Sequence, residues 1–91
     1  DELYAEQKIL LTPNPVLSDK INLVVNSNLK GEIAIEIWDV AGKNIATYNV
    51  NIDEINDNLE LELPKGLTHG SYYLHLVKES KHISIKKFIK L

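Results

Sequence analysis

Leu59-Glu60-Leu61-Glu62-Leu63 sets a leucine at every odd position and a glutamate at every even one. Successive side chains of an extended strand point to opposite faces, so this stretch has a leucine face to bury and a glutamate face for water. The same two-residue period recurs in both directions from it. Ile21, Leu23 and Val25 alternate with Asn22, Val24 and Asn26, and Ile33, Ile35 and Ile37 alternate with Ala34, Glu36 and Trp38. Tyr72, Leu74 and Leu76 alternate with Tyr73, His75 and Val77, apolar on both sides, as expected of a central strand. Ile83 and Ile85 alternate with Ser84 and Lys86, and Ile9–Leu11 and Ile45–Ile52 bring the expectation to about seven strands.

The segments between these runs carry turn chemistry. Thr12-Pro13-Asn14-Pro15 cannot continue a central strand, because two prolines remove ladder donors. Asn26-Ser27-Asn28-Leu29-Lys30-Gly31 reads as a hairpin loop. In Asp39-Val40-Ala41-Gly42-Lys43, Gly42 stands where a type I turn wants a left-handed residue after it. Pro64–Gly70 reads as a longer loop whose glycines can take positive φ. No helical period extends over a useful length, and a single helical turn around Asp53–Asn58 is the most the sequence offers. Short strands at roughly ten-residue spacing predict an all-β fold, a small immunoglobulin-like antiparallel β-sandwich in a loose sense. We expect 1–8 to be a linker to an upstream cargo and 9–91 to be the domain.

With 91 residues and no cysteine, the chain makes one domain without disulfide staples or thiolate metal ligands. The absence of methionine leads us to expect a processed or excised piece of a longer protein. No apolar run reaches the length of a membrane span, and no signal peptide is present, so no membrane insertion is expected. A net charge of −3 suggests no nucleic-acid footprint. All ten cations are lysines, and Lys78, Lys81, Lys86, Lys87 and Lys90 fall in the last fourteen residues. The acids Asp53, Glu54, Asp57, Glu60 and Glu62 lie earlier; as bare clusters, both groups read as solvated faces and loop tips.

Catalytic patterns are missing. His69, His75 and His82 have no HExxH context. His75 and His82 can meet across a sheet, but two ligands without a clear third carboxylate make a weak metal site. No GxSxG elbow flanks any serine, and no glycine loop cradles phosphate. Asp53, Glu54 and Asp57 do not match a calcium loop. Glu60 and Glu62, roughly 7 Å apart on one strand face, lack a cleft in a domain this small. We therefore expect no enzyme, no cofactor and no metal. Trp38, by parity, faces away from Ile33, Ile35 and Ile37; it is either a side chain half covered by a loop or an outward sugar-stacking platform or protein-contact anchor. Lys87 poses a parity conflict. Ile83, Ile85, Ile89 and Leu91 share odd numbering, which puts Lys87 on their buried row, where an unpaired ammonium is costly. Either a β-bulge resets the register or the strand runs along an edge.

Four stretches stand in order: Leu11-Thr12-Pro13-Asn14-Pro15, then Asp39-Val40-Ala41-Gly42-Lys43, then Gly70-Ser71-Tyr72-Tyr73-Leu74, and last Lys86-Lys87-Phe88-Ile89-Lys90-Leu91. Together they resemble the type A C-terminal sorting domain of type IX secretion substrates, whose pattern runs YPNP, DxxGK, G-x-Y-x-L/V and a closing KKxIK. Each motif alone is generic turn or strand chemistry; the order and spacing give the set its specificity. Thr12 stands where an aromatic is common, and Ser71-Tyr72-Tyr73 leaves open which tyrosine fills the motif.

The resemblance implies a domain carried by a larger cargo protein and read by the outer-membrane translocon after periplasmic transit. A surface sortase and attachment complex then removes it in many members, and others retain it in surface machinery; cargo ends at the cell surface or in the medium. As recognition elements the resemblance implies Pro13, Asn14, Pro15, Gly70, Tyr72, Lys86, Lys87 and Lys90, which read structurally as a rigid turn, a loop glycine, a core tyrosine and an edge strand. Two other readings compete. One is a carbohydrate-binding module of a secreted enzyme, resting on Trp38, Tyr72 and Tyr73; the other is a structural β-sandwich spacer, which has no use for a lysine-rich last strand.

Overall fold

A computed structural model describes residues 8–13, 15–26, 31–53 and 56–91. Seven strands form in order: β1 (Lys8–Thr12), β2 (Lys20–Asn26), β3 (Gly31–Asp39), β4 (Asn44–Ile52), β5 (Asn56–Glu62), β6 (Gly70–Lys78) and β7 (Lys81–Lys90). They make two antiparallel sheets, a three-stranded one ordered β1-β2-β5 and a four-stranded one ordered β4-β3-β6-β7. This corresponds to the A-B-E and C′-C-F-G strands of immunoglobulin-like sandwiches. β6 lies between β3 and β7, the interior position its doubly apolar pattern predicts.

The alternating rows meet between the sheets. Ile21, Leu23, Val25 and Leu61 face Ile33, Ile35, Ile37, Leu74 and Leu76 in one core, and all are buried. Glu60 and Glu62 lie exposed on the opposite side of β5, as the leucine–glutamate alternation requires. Two lateral clasps close the sandwich. On one side the Tyr48 hydroxyl of β4 donates to the Glu62 carbonyl of β5 at 2.6 Å. On the other, Val16 is fully buried and forms a parallel bridge to Lys90. Its amide donates to the Ile89 carbonyl at 2.7 Å, and its carbonyl accepts from the Leu91 amide at 2.9 Å. These bonds cover part of the otherwise open edge of β7.

The expected turn at Asp39–Lys43 forms, and a second, not singled out in the sequence, closes the last hairpin. At Asp39–Lys43 the Gly42 amide donates to the Asp39 carbonyl at 3.2 Å with Gly42 at φ 85°. The Asp39 carboxylate accepts from the Ala41 and Lys43 amides at 3.0 and 2.9 Å, which fixes the turn from its first residue. Glu79 and Ser80 join β6 to β7 with φ of 52° and 66°, the paired left-handed conformation of a two-residue hairpin. Two expectations are corrected. The hairpin expected around 26–31 does not join its flanking strands: β2 pairs with β1 and β5, while β3 belongs to the other sheet, and 27–30 lie outside the described residues. The turn expected at 53–58 is not helical at its far end, where Asn56–Asn58 already pair within β5; 54 and 55 lie outside the described residues.

The parity conflict in β7 resolves through both devices at once. Leu76 pairs with Ser84 and Val77 with His82, so Ile83 is an extra residue opposite the β6 ladder, and β7 is also an edge strand. Beyond the bulge the even-numbered side chains turn inward. Phe88 is fully buried, stacked on Tyr72 with ring centroids 5.8 Å apart, and Lys90 is 9% exposed. The expected odd-numbered buried row is thereby overturned: Ile83 packs against the core, but Ile85, Ile89 and Leu91 are exposed and Lys87 faces water.

This register makes opposite demands on near neighbours. Phe88→Ala is expected to cost about 3–5 kcal/mol in urea unfolding, as for a fully buried aromatic. Ile85→Ala should stay within about 1 kcal/mol, its side chain being mostly in water. A reversed ranking would show that the strand is built with the other face inward.

Candidate recognition surface and the outer sheet face

The motif residues, widely separated in sequence, come together at one end of the four-stranded sheet. Asp39, the last residue of β3, pairs with Tyr72 near the start of β6, and Tyr72 pairs with Phe88 near the end of β7. Gly70 pairs with Lys90 at the same end, and Val16, directly after the proline turn, bridges to Lys90 from the other flank. Four motifs thus share one rim. An open depression between the Asp39–Lys43 turn and the 64–71 loop adjoins it, lined by Val40, Ala41, Lys65, Leu67 and His69 among others.

Of the recognition residues implied by the resemblance, all but Asn14 have a definite place. Pro13 and Pro15 are exposed, the Thr12–Pro13 peptide is cis, and Asn14 lies outside the described residues. Gly70 opens β6 at φ 144°, a backbone conformation that disfavours any side chain. Tyr72 is the inward tyrosine of the pair and Tyr73 the outward one. The Tyr72 hydroxyl donates to the Thr68 carbonyl at 2.7 Å and lies 3.1 Å from the Thr68 hydroxyl. A tyrosine early in the sixth strand that hooks back to upstream main chain is the tyrosine corner of immunoglobulin-like sandwiches. Of the terminal lysines, Lys87 is exposed, Lys86 is half-buried, and Lys90 is buried with its ammonium donating to the Leu91 main-chain oxygen at 2.9 Å. Sequence reading missed Val16, whose signal was an apolar residue directly after two prolines.

The outer face of the same sheet carries a second constellation. Trp38 does face away from the core; it is half-buried against the neighbouring strand rather than under a loop. Its ring stacks on His75 at 5.5 Å and 28°, and its indole N–H donates to Glu36 Oε1 at 2.9 Å. His75 Nδ1 lies 2.9 Å from His82 Nδ1, with the two rings edge to face. Glu36 is the third ligand, the carboxylate that the sequence did not reveal: one ligand atom from each of Glu36, His75 and His82 falls within 4.8 Å of the others. Burial first, then the neighbouring His82, lowers the His75 pKa, against the opposing pull of Glu36. Burial and the Glu62 carboxylate raise the Tyr48 pKa. For a carbohydrate reading this face offers Trp38 and Tyr73, whereas Tyr72 is in the core and contributes nothing. Asp53 is exposed, while Glu54 and the side chain of Asp57 lie outside the described residues.

Two measurements follow from these contacts. Tyr72→Phe keeps the core packing but removes the bond to Thr68, and should cost about 1 kcal/mol in chemical denaturation. His75 should titrate below its ordinary value of 6.5 when followed by NMR. The fold then binds the proton less well than the unfolded chain does. Stability is full above the unfolded pKa and falls as pH drops through the histidine range. A His75 midpoint above 6.5 would contradict the burial of its ring.

The comparisons with known proteins agree with this architecture. Among solved structures, the chain is similar to the Pseudomonas fluorescens alkylpurine DNA glycosylase AlkC bound to DNA containing an abasic site analog, at 10% identity and a TM-score of 0.50. That likeness covers 92% of this chain and 29% of the glycosylase, and at such identity it shows a shared fold alone. No curated protein matches the sequence. The family described as "Secretion system C-terminal sorting domain" matches residues 11–91, which take in the proline turn, both hairpins and the whole of β7. The chain belongs to this family of type IX sorting domains, which carry a signal for export to the cell surface or medium and are not catalytic.

Proposed function

We propose that this domain is a sorting signal read directly by the type IX outer-membrane translocon, after the cargo that carries it has crossed the periplasm. Residues 1–8 serve as the tether to that cargo and 9–91 as the folded signal. A surface sortase and attachment complex then acts at the tether, or the domain stays in place as part of a surface assembly. The observation that supports recognition by a folded surface is the gathering of four motifs on one rim of the β4-β3-β6-β7 sheet. A linear signal would need no such convergence.

The motif residues divide their labour within this reading. Tyr72, Gly70 and the aliphatic part of Lys90 shape the rim, and Val16 holds the end of β7 against it. Lys87, exposed and on the outer row, is the lysine best placed to meet a partner's carboxylates. Pro13 and Pro15 present a stiff, exposed turn that leads into Val16 at the end of β7.

The test is export of a reporter that carries a signal peptide and residues 1–91, in a bacterium with type IX secretion. Removing 86–91 deletes Phe88 together with the Val16 clasp, so a loss of export there confounds unfolding with lost recognition. Lys87→Glu separates the two, because an exposed side chain can reverse charge with the fold intact, as circular dichroism would verify. We expect translocon-dependent surface delivery of the parent and at least about a tenfold loss with Lys87→Glu, as when a charge pair is turned into a repulsion. Periplasmic retention of a folded parent fusion would refute the reading. A lower-mass surface product would identify removal at the tether.

A further inference from the structure

We propose that Glu36, His75 and His82 form a metal-binding site on the outer face of the four-stranded sheet, taking a borderline transition-metal dication, with Zn2+ the expected ion. The site lies away from the motif rim, and the proposal stands independently of the sorting function.

The three ligands come from three neighbouring strands, β3, β6 and β7, whose ladders fix their separation. Glu36 pairs directly with His75, and the bulge decides the third ligand. Without the extra Ile83, His82 would stand opposite Lys78 and turn to the other face. With it, His82 pairs with Val77 and joins His75 on the outer side. One residue thus both seats Phe88 in the core and completes the triad.

The donor geometry fits an ion with little movement. Nitrogens bound to one tetrahedral zinc at about 2.0–2.1 Å lie roughly 3.3 Å apart. The observed Nδ1–Nδ1 separation is 2.9 Å, and the full set fits within 4.8 Å. Two unprotonated ring nitrogens facing each other at that distance would repel, so in the metal-free protein one carries a proton that the other accepts. A cation replaces that proton and lets both lone pairs point at it. The carboxylate closes in by a side-chain rotation of Glu36.

Trp38 supplies the surrounding shell. Its indole N–H holds one carboxylate oxygen of Glu36 and leaves the second for an ion, while its ring packs along His75 and fixes the imidazole plane. This assigns the outward tryptophan a positioning role. Two imidazoles and one carboxylate suit zinc, and also copper or nickel, over magnesium or calcium, which prefer all-oxygen sites. Three protein ligands leave a coordination position open to water or to a donor group from another molecule.

The test is titration of the chain 1–91 with Zn2+ near neutral pH, by calorimetry and by NMR of the histidine rings, with Mg2+ and Ca2+ as controls. A single zinc ion should bind, shift the His75 and His82 ring resonances together, and raise the thermal midpoint until a chelator is added. His82→Ala, a change at an exposed residue, and Glu36→Gln should each weaken binding at least about tenfold and abolish the thermal shift. Trp38→Phe keeps a stacking ring but loses the N–H, and should weaken zinc about tenfold or more. Zinc affinity unchanged in His82→Ala, or ring resonances that stay in place as zinc is added, would overturn the proposal.

Discussion

A sheet has a two-residue period, so one additional residue exchanges everything beyond it between the buried face and the wet one. In β7 that residue is Ile83, and the rest of the strand depends on it. Phe88 enters the core under Tyr72, Lys90 turns inward with its ammonium held by main chain, and Lys87 is carried out to solvent. A register continued unbroken from the hairpin would bury Lys87 unpaired and expose Phe88. Both changes are unfavourable, and the cost of a local bulge is small beside them.

A bulged strand at an edge still needs its far end held, and Val16 provides this. The proline turn before it ends β1 and returns the chain to the rim, where two main-chain hydrogen bonds join the first and last parts of the domain. The Tyr48 clasp fastens the opposite side. The motifs of the family are therefore parts of one mechanical unit: a turn that delivers Val16, a hairpin that ends β3, a glycine and tyrosine that start β6, and the strand they all support. A partner that reads this rim reads whether the domain has folded.

The two faces of the four-stranded sheet do different work. The inner face is aliphatic and contributes stability, and its residues alternate so regularly that little else is asked of them. The outer face gathers a tryptophan, two histidines and a glutamate whose side chains already contact one another. The cluster spans the two interior strands β3 and β6 and the edge strand β7, on regular strands rather than loops, where side-chain positions are well defined.

The strands, the buried faces of β2, β3, β5 and β6, the Asp39–Lys43 turn and the family itself were legible in the residues, because each rests on a local period, a local turn or a motif order. The outward direction of Trp38 followed from parity alone. What the sequence left open were the quantities that depend on which strand lies beside which. Segment 26–31 has a hairpin's composition, yet β2 and β3, the strands that flank it, belong to different sheets. The parity argument found the conflict at Lys87 and named a bulge or an edge strand as its solution, but not where the bulge lies, since that leaves nothing visible in composition and is placed by the packing of Phe88. Glu36 was visible on the face of Trp38, and His75 and His82 were visible as a possible pair. Only the register between three strands, set by the shared core beneath them, brought the three side chains to one point.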